Sequence, residues 1–222
     1  CITEPGAGSD VAQLKTRAER KGGSYIVNGS KMFITSAMRA DYLTVAVRTG
    51  GAGMGGISLL LVEADRPGVS RTRLEKMGWH CSDTAALYFQ DVEVPAENLI
   101  GPENGGFLGI MRNFNSERLG MAQGCMSMSR VALQEAVDWA LQRETFGKPL
   151  IQHQSIRIKL ADLVRQIEAT QAWVDLLALQ HKNGTGEPAS YAMLKVQATR
   201  TMEAVAREAA LKTSFVSNVS HE

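Results

Sequence analysis

Hydrophobic and polar positions change rhythm once along this chain, near residue 103. Before that point apolar residues come in short runs. Tyr25-Ile26-Val27 leads into Asn28-Gly29 and then Ser30-Lys31-Met32-Phe33-Ile34. Asn-Gly between apolar runs predicts a hairpin, because a type I′ turn needs positive φ at both central residues. Further strands are expected over 42–48, 56–63 and 86–94. Thirteen of the 21 glycines and four of the six prolines lie at or before Pro102. Short strands so punctuated, with no helix between them, predict an antiparallel β-sandwich or barrel.

From Gly105 onward the spacing becomes helical. Phe107, Ile110, Met111, Phe114, Met121 and Cys125 fall on one stripe that continues towards Leu141. Ile156, Leu160, Leu163, Ile167, Val174 and Leu177 follow alternating steps of four and three, with Thr170 interrupting the seam. That spacing suits a helix packed lengthwise on another. Asn183-Gly184 predicts its stop, and Pro188 opens a third helix where proline is tolerated. Ala192, Leu194, Ala198, Thr201, Met202, Val205 and Ala209 supply that helix's face. Three such helices leave apolar surface uncovered. The expected fold class is therefore α+β: a β-domain over 1–102, then an incomplete up-down helical bundle over 103–222.

Composition narrows the partners. The 222 residues carry 24 Lys+Arg and 23 Asp+Glu, a net charge of +1. That balance makes no electrostatic case for nucleic acid or an anionic membrane. Residues are 44% apolar and 21% charged, as in globular proteins. The longest apolar run, 57–62, is strand-sized and far short of the ~20 residues of a membrane span. Cys1, Cys81 and Cys125, like His80, His153, His181 and His221, are scattered. No disulfide framework and no metal site is signalled, and a reducing, intracellular compartment is expected.

Several patterns imitate motifs. Gly51-Ala52-Gly53-Met54-Gly55-Gly56 fits GxGxxG, but it precedes a strand-like run instead of opening a helix. A hairpin loop is the expected outcome. Tyr191 and Lys195 have a reductase-like YxxxK spacing without a preceding dinucleotide-binding unit, so a helix face is expected. His80-Cys81 reads as a turn between strands. Met121, Met126 and Met128 read as a core or ligand-lining face.

The first ten residues, Cys1-Ile2-Thr3-Glu4-Pro5-Gly6-Ala7-Gly8-Ser9-Asp10, carry more. Gly6, Gly8 and Ser9 make a tight loop whose backbone N–H groups and hydroxyls could approach a phosphate or a planar ring. The segment resembles the TEPxAGSD signature of the acyl-CoA dehydrogenase family. Residues 25–36 resemble the family's YxxNGxKxWIT hairpin, and 75–84 its KxGxxxSDT turn. Residues 89–101 match FxxVxVPxxNxxG, and Asn115-Ser116-Glu117-Arg118 and Arg143-Glu144-Thr145-Phe146-Gly147 resemble its helix motifs. The resemblance runs in order to about residue 210. The tail over 211–222 departs from it.

The resemblance implies a middle β-domain and C-terminal bundle, lacking the N-terminal helical domain and the C-terminal end. Cys1 then reads as a truncation point. It implies non-covalently bound FAD and oxidation of the α,β bond of an acyl-CoA thioester, in fatty acid or branched-chain amino acid catabolism. Thr3 and Thr35 would meet the flavin, with Gly8 and Ser9 lining the flavin and substrate. Phe33 stands where the family usually has Trp; it keeps a flat apolar wall and loses the indole N–H. Arg143, Thr145 and Phe146 resemble the segment that reaches the FAD pyrophosphate of a neighbouring subunit, and an Arg suits a diphosphate. Gln154 is assigned to the adenylate part. Arg118 resembles the helix Arg approaching CoA, with Asn115 and Ser9 near substrate.

Glu117 occupies the position where a minority of the family carries the catalytic base. Phe114, Leu119 and Met121 flank it, and burial there would raise its proton affinity. The competing reading is a surface Glu paired with Arg118 or a residue one turn away. The resemblance also implies electron transfer to an electron-transferring flavoprotein and a homodimer or homotetramer. The compartment would be bacterial cytoplasm, mitochondrion or peroxisome. The alternatives are an O2-using acyl-CoA oxidase and a non-catalytic flavin-fold module.

Overall fold

The structure, a computed structural model, describes residues 1–219, with side chains described through residue 209. Seven strands build the first unit: β1 (Arg17–Lys21), β2 (Ser24–Thr35), β3 (Tyr42–Arg48), β4 (Ile57–Glu63), β5 (Val69–Arg73), β6 (Thr84–Pro95) and β7 (Leu99–Ile100). They form one sheet in the order β5-β6-β2-β1-β3-β4-β7. Neighbours are antiparallel except β1 and β3, which meet in parallel at Arg17 and Arg48. The sheet is thus mixed, not wholly antiparallel as expected. Inward-facing Ala18, Tyr25, Val27, Val45, Leu60, Leu87, Phe89 and Val92 share one buried cluster. A sheet whose residues meet this way has curled over its own core.

The Asn28-Gly29 hairpin does not form. β2 runs unbroken through both residues, and its register against β6 slips between Val27 and Gly29. This is a bulge. The Asn28 amide donates to Asp91 Oδ1 at 2.9 Å, and the Asp91 N–H donates to Asn28 Oδ1 at 2.9 Å. Gly29 has φ 149°, and a Cβ there would lie 2.6 Å from Thr16 Cα. The glycine serves a close backbone approach, not a turn. The hairpin turn lies at Gly22-Gly23, where Lys21 pairs with Ser24. The Gly51–Gly56 segment joins antiparallel β3 and β4, as its context predicts.

Three helices follow: α1 (Gly106–Gln142), α2 (Gln154–Lys182) and α3 (Pro188–Val219). A small hairpin of β8 (Glu144–Thr145) and β9 (Lys148–Pro149) joins the first two. The chain divides into compact units Cys1–Met111 and Arg112–Glu222. The division by compactness falls inside α1. The reason is that α1 starts against β4: a Cβ on Gly106 would lie 2.8 Å from the Ser58 carbonyl carbon.

In the second unit Ala122, Cys125 and Met126 pack with Val174, Leu177, Tyr191, Leu194 and Ala198. Leu163, Ile167 and Val205 form a further cluster, with Ala132 and Leu133 against it. Those pairings make α1–α2 and α2–α3 antiparallel. Thr170 is buried within the seam, where its hydroxyl donates to the Gln166 carbonyl at 2.8 Å and lies 3.2 Å from Thr201 Oγ1. Tyr191 is core, its hydroxyl 2.8 Å from His181 Nδ1. Met126 is buried, while Met121 and Met128 are exposed along with Val131, Leu176, Leu179 and Met193. The divergent tail over 211–222 lies outside the residues with described side chains.

Candidate functional site

Three groups of predicted residues are placed by three local structures. The first surrounds the end of β2. Glu4 and Ala7 exchange backbone hydrogen bonds at 3.0 and 3.1 Å, closing a tight turn. Gly8 and Ser9 emerge from it exposed, and a Cβ on Gly6 or Gly8 would meet nothing within 4 Å. The Met32 N–H donates to the Thr3 carbonyl at 2.8 Å, tying this loop to β2. Immediately afterwards β2 breaks register between Lys31 and Ile34, and Phe33 takes φ 60°. The bulge turns Phe33 outward, where it is 68% exposed. A bulky residue with positive φ is strained, and such strain concentrates at functional positions.

Thr35, also exposed, pairs with Thr84 at the strand's end. The next turn is held by Asp83: its carbonyl accepts from Ser36 N–H at 2.9 Å and its carboxylate from Met38 N–H at 2.8 Å. Arg71 donates to the carbonyls of Ala37, Met38 and Ala40. Thr3, Phe33 and Thr35 are therefore brought together on one well-braced rim.

Beneath that rim lies a buried ion pair that sequence reasoning missed. Lys31 Nζ, wholly buried, donates to Glu4 Oε1 at 2.8 Å and to the Ile2 carbonyl at 3.0 Å. Glu4 also accepts from Thr16 N–H at 2.9 Å and Lys15 N–H at 2.6 Å. Burial opposes Glu4 ionisation, but its donors outweigh burial and hold the carboxylate below the ordinary range. Burial pulls the Lys31 ammonium down from its ordinary value, with Glu4 resisting. The two residues stand 27 positions apart, so no spacing rule links them. The only sequence signal is a Lys on the inward side of a strand.

The second group lies on α1. Asn115 and Arg118 are half-buried, and Arg118 donates to Asn115 Oδ1 at 3.1 Å. Its guanidinium sits 5.8 Å from the Phe114 ring centroid. Glu117 is exposed and not buried as the flanking residues suggest, because Phe114 and Leu119 turn only partly inward and Met121 faces solvent. Its carboxylate accepts at 2.6 Å from the amide of Asn113, one turn away, as the competing surface reading has it, while Arg118 turns to Asn115.

The third group is a hairpin, not a helix. Arg143 is exposed where α1 ends, and its carbonyl accepts from Leu150 N–H at 2.8 Å. Phe146 and Gly147, both at positive φ, form the two-residue tip between β8 and β9, and Phe146 is 93% exposed. Thr145 Oγ1 lies 3.2 Å from His153 Nε2, which links the hairpin to the start of α2 at Gln154. Among the described residues, no three His, Cys, Asp or Glu side chains are grouped to hold a metal ion, and no helix is long and apolar enough to cross a membrane.

Comparison with known proteins accounts for both units. Residues 1–92 match the family described as "Acyl-CoA dehydrogenase, middle domain", and residues 104–211 match "Acyl-CoA dehydrogenase, C-terminal domain". An acyl-CoA dehydrogenase of Alternaria alternata is 45% identical over 93% of this chain and 50% of its own length. The crystal structure of a probable acyl-CoA dehydrogenase from Mycobacterium abscessus superposes with TM-score 0.90 at 50% identity, over 94% of this chain and 56% of that one. A glutaryl-CoA dehydrogenase from Mycobacterium smegmatis, in complex with FADH2, superposes with TM-score 0.85 at 29% identity, over 94% and 53%. The chain belongs to the acyl-CoA dehydrogenase family. It spans about half the length of the curated relatives it matches.

The last of these relatives is in complex with a reduced flavin, FADH2. The rim fits such a group: an outward-held apolar ring at Phe33, hydroxyls at Thr3, Ser9 and Thr35, and glycine backbone at Gly6 and Gly8 facing open space.

Proposed function

We propose that the protein catalyses FAD-dependent α,β-dehydrogenation of an acyl-CoA thioester. The observation carrying this reading is Phe33. The chain spends strain to hold a bulky apolar ring in solvent, next in sequence to Met32, whose N–H is tied to the Thr3 carbonyl, and this makes sense when a flat ligand lies against it. Thr3, Gly8, Ser9, Phe33 and Thr35 would hold the isoalloxazine neighbourhood. Arg143, Thr145 and Phe146 would reach the diphosphate of a neighbouring subunit's FAD, Arg143 by charge and fork geometry, and Gln154 would contact the adenylate part. Asn115, Arg118 and Ser9 would contact the acyl-CoA.

When bound, the flavin supplies a hydride acceptor at N5. Glu117 would take the α-proton onto its carboxylate while the β-hydrogen leaves as hydride to that acceptor, so that the α,β double bond forms. The Asn113 amide, 2.6 Å from Glu117 Oε1, holds the carboxylate in orientation. The final acceptor of the two electrons would be an electron-transferring flavoprotein.

The test is Glu117→Gln in the natural, full-length protein. FAD content stays at the wild-type level, and anaerobic bleaching by butyryl-, octanoyl-, palmitoyl- or isovaleryl-CoA slows by at least about 10^3-fold, the order expected for loss of a general base. Bleaching at the wild-type rate removes Glu117 from the base role.

A further inference from the structure

Glu4 and Lys31 form the most deeply buried ion pair among the described residues, with side chains 7% and 0% exposed. Such a pair is a poor source of stability. Desolvating two charges offsets most of their attraction, and apolar residues of the same shape often serve as well. Its position suggests another purpose. Glu4 directly follows Thr3, and Lys31 opens the register break that carries Phe33. The Lys31 ammonium bridges Glu4 Oε1 and the Ile2 carbonyl, while the Met32 N–H holds the Thr3 carbonyl. Glu4 Oε1 also accepts from Thr16 N–H, and its other oxygen, Oε2, accepts from Lys15 N–H. One charge pair therefore sets the first loop, the 15–16 segment and the bulge of β2 in a single mutual position.

We propose that Glu4 and Lys31 are positioning residues for the flavin. They lock the Thr3 loop and the strained Phe33 bulge together, so the wall and hydroxyls that receive the ring exist before it binds. This rests on the flavin reading above. Neither residue needs to touch the cofactor; each acts through Thr3 and Phe33. A buried pair that accepts one geometry gives such pre-organisation, whereas an apolar contact would let the loop slide.

The experiment compares wild type, Glu4→Gln/Lys31→Met and, as a surface-pair control, Asp162→Asn/Arg165→Gln, each in the natural, full-length protein. Removing both buried charges together leaves no unpaired charge behind. The readouts are thermal midpoint, FAD dissociation constant and visible circular dichroism of the bound flavin. The expected result is a folded double variant whose FAD dissociation constant rises at least tenfold and whose flavin dichroism changes, with the control unchanged in both. A folded double variant with wild-type FAD affinity and dichroism overturns the proposal. So does a double variant that fails to fold, which assigns the pair to stability alone, and so does an equal loss in the control. Wild-type protein that takes up no FAD contradicts the flavin reading itself and the positioning role with it. The first three outcomes leave the flavin reading standing.

Discussion

Phe33 concentrates the local physics of this protein. Its φ of 60° is uncomfortable for a bulky residue, and its ring is mostly solvent-exposed, so neither backbone nor burial explains it. Phe33→Gly relieves strain of about 1 kcal/mol. Melting should show stability unchanged or slightly raised, while FAD affinity falls; a simultaneous loss of stability would mean that Phe33 is a fold residue. Gly29 is the reverse case. Gly29→Ala forces a Cβ to within 2.6 Å of Thr16 Cα and should cost about 2 kcal/mol or more in denaturant unfolding. Lys31→Met alone leaves Glu4 buried without its cation and should cost about 3 kcal/mol.

Glu4 also sets an acid limit. Its folded-state pKa is depressed because its hydrogen-bond donors outweigh burial. A depressed carboxylate contributes stability that is present above its unfolded value, about 4.3, and lost as pH falls through the folded value. Thermal melts between about pH 6 and pH 3 should therefore fall more steeply for wild type than for Glu4→Gln/Lys31→Met. Parallel curves would remove Glu4 as the source.

At the scale of elements, legibility depended on how local each element's cause is. The α2 seam was readable because its 3.6-residue period lies within the segment, and Leu163, Ile167, Val174 and Leu177 are buried as expected. Thr170 interrupts that period in the sequence but not in the packing, since Thr201 on α3 supplies a partner for its hydroxyl. Replacing both by valine should be nearly neutral by calorimetry, whereas Thr170→Val alone should cost about 1 kcal/mol; equal losses would mean that the two hydroxyls are not coupled. The sheet was less legible. β1 (Arg-Ala-Glu-Arg-Lys) and β5 (Val-Ser-Arg-Thr-Arg) carry little alternation because they bury few side chains. The bulge at Asn28-Gly29 needs Asp91 and Thr16 to specify it, and neither is near in sequence. Phe146-Gly147, a different pair without an obvious hairpin signature, does turn the chain.

At the scale of the whole molecule, family membership was legible because its motifs are short and contiguous, and they fall in order along both units. The candidate site was legible only as names. Thr3, Phe33 and Thr35 share a rim because β2 bulges and the first loop docks on it, which follows from long-range pairing. The Glu4–Lys31 support is invisible without the fold. The exposed state of Glu117, read from its neighbours as buried, depends on which face of a 37-residue helix its surroundings cover.

The most direct test of the flavin-dehydrogenase account is a single anaerobic turnover of the natural, full-length protein loaded with FAD. Acyl-CoA is added from the panel above, with flavin absorbance and product mass followed together. The account predicts that at least one acyl-CoA bleaches the flavin with stoichiometric formation of a product two mass units lighter, the enoyl-CoA. A flavin-loaded protein that neither bleaches nor forms enoyl-CoA with any member of the panel would contradict it.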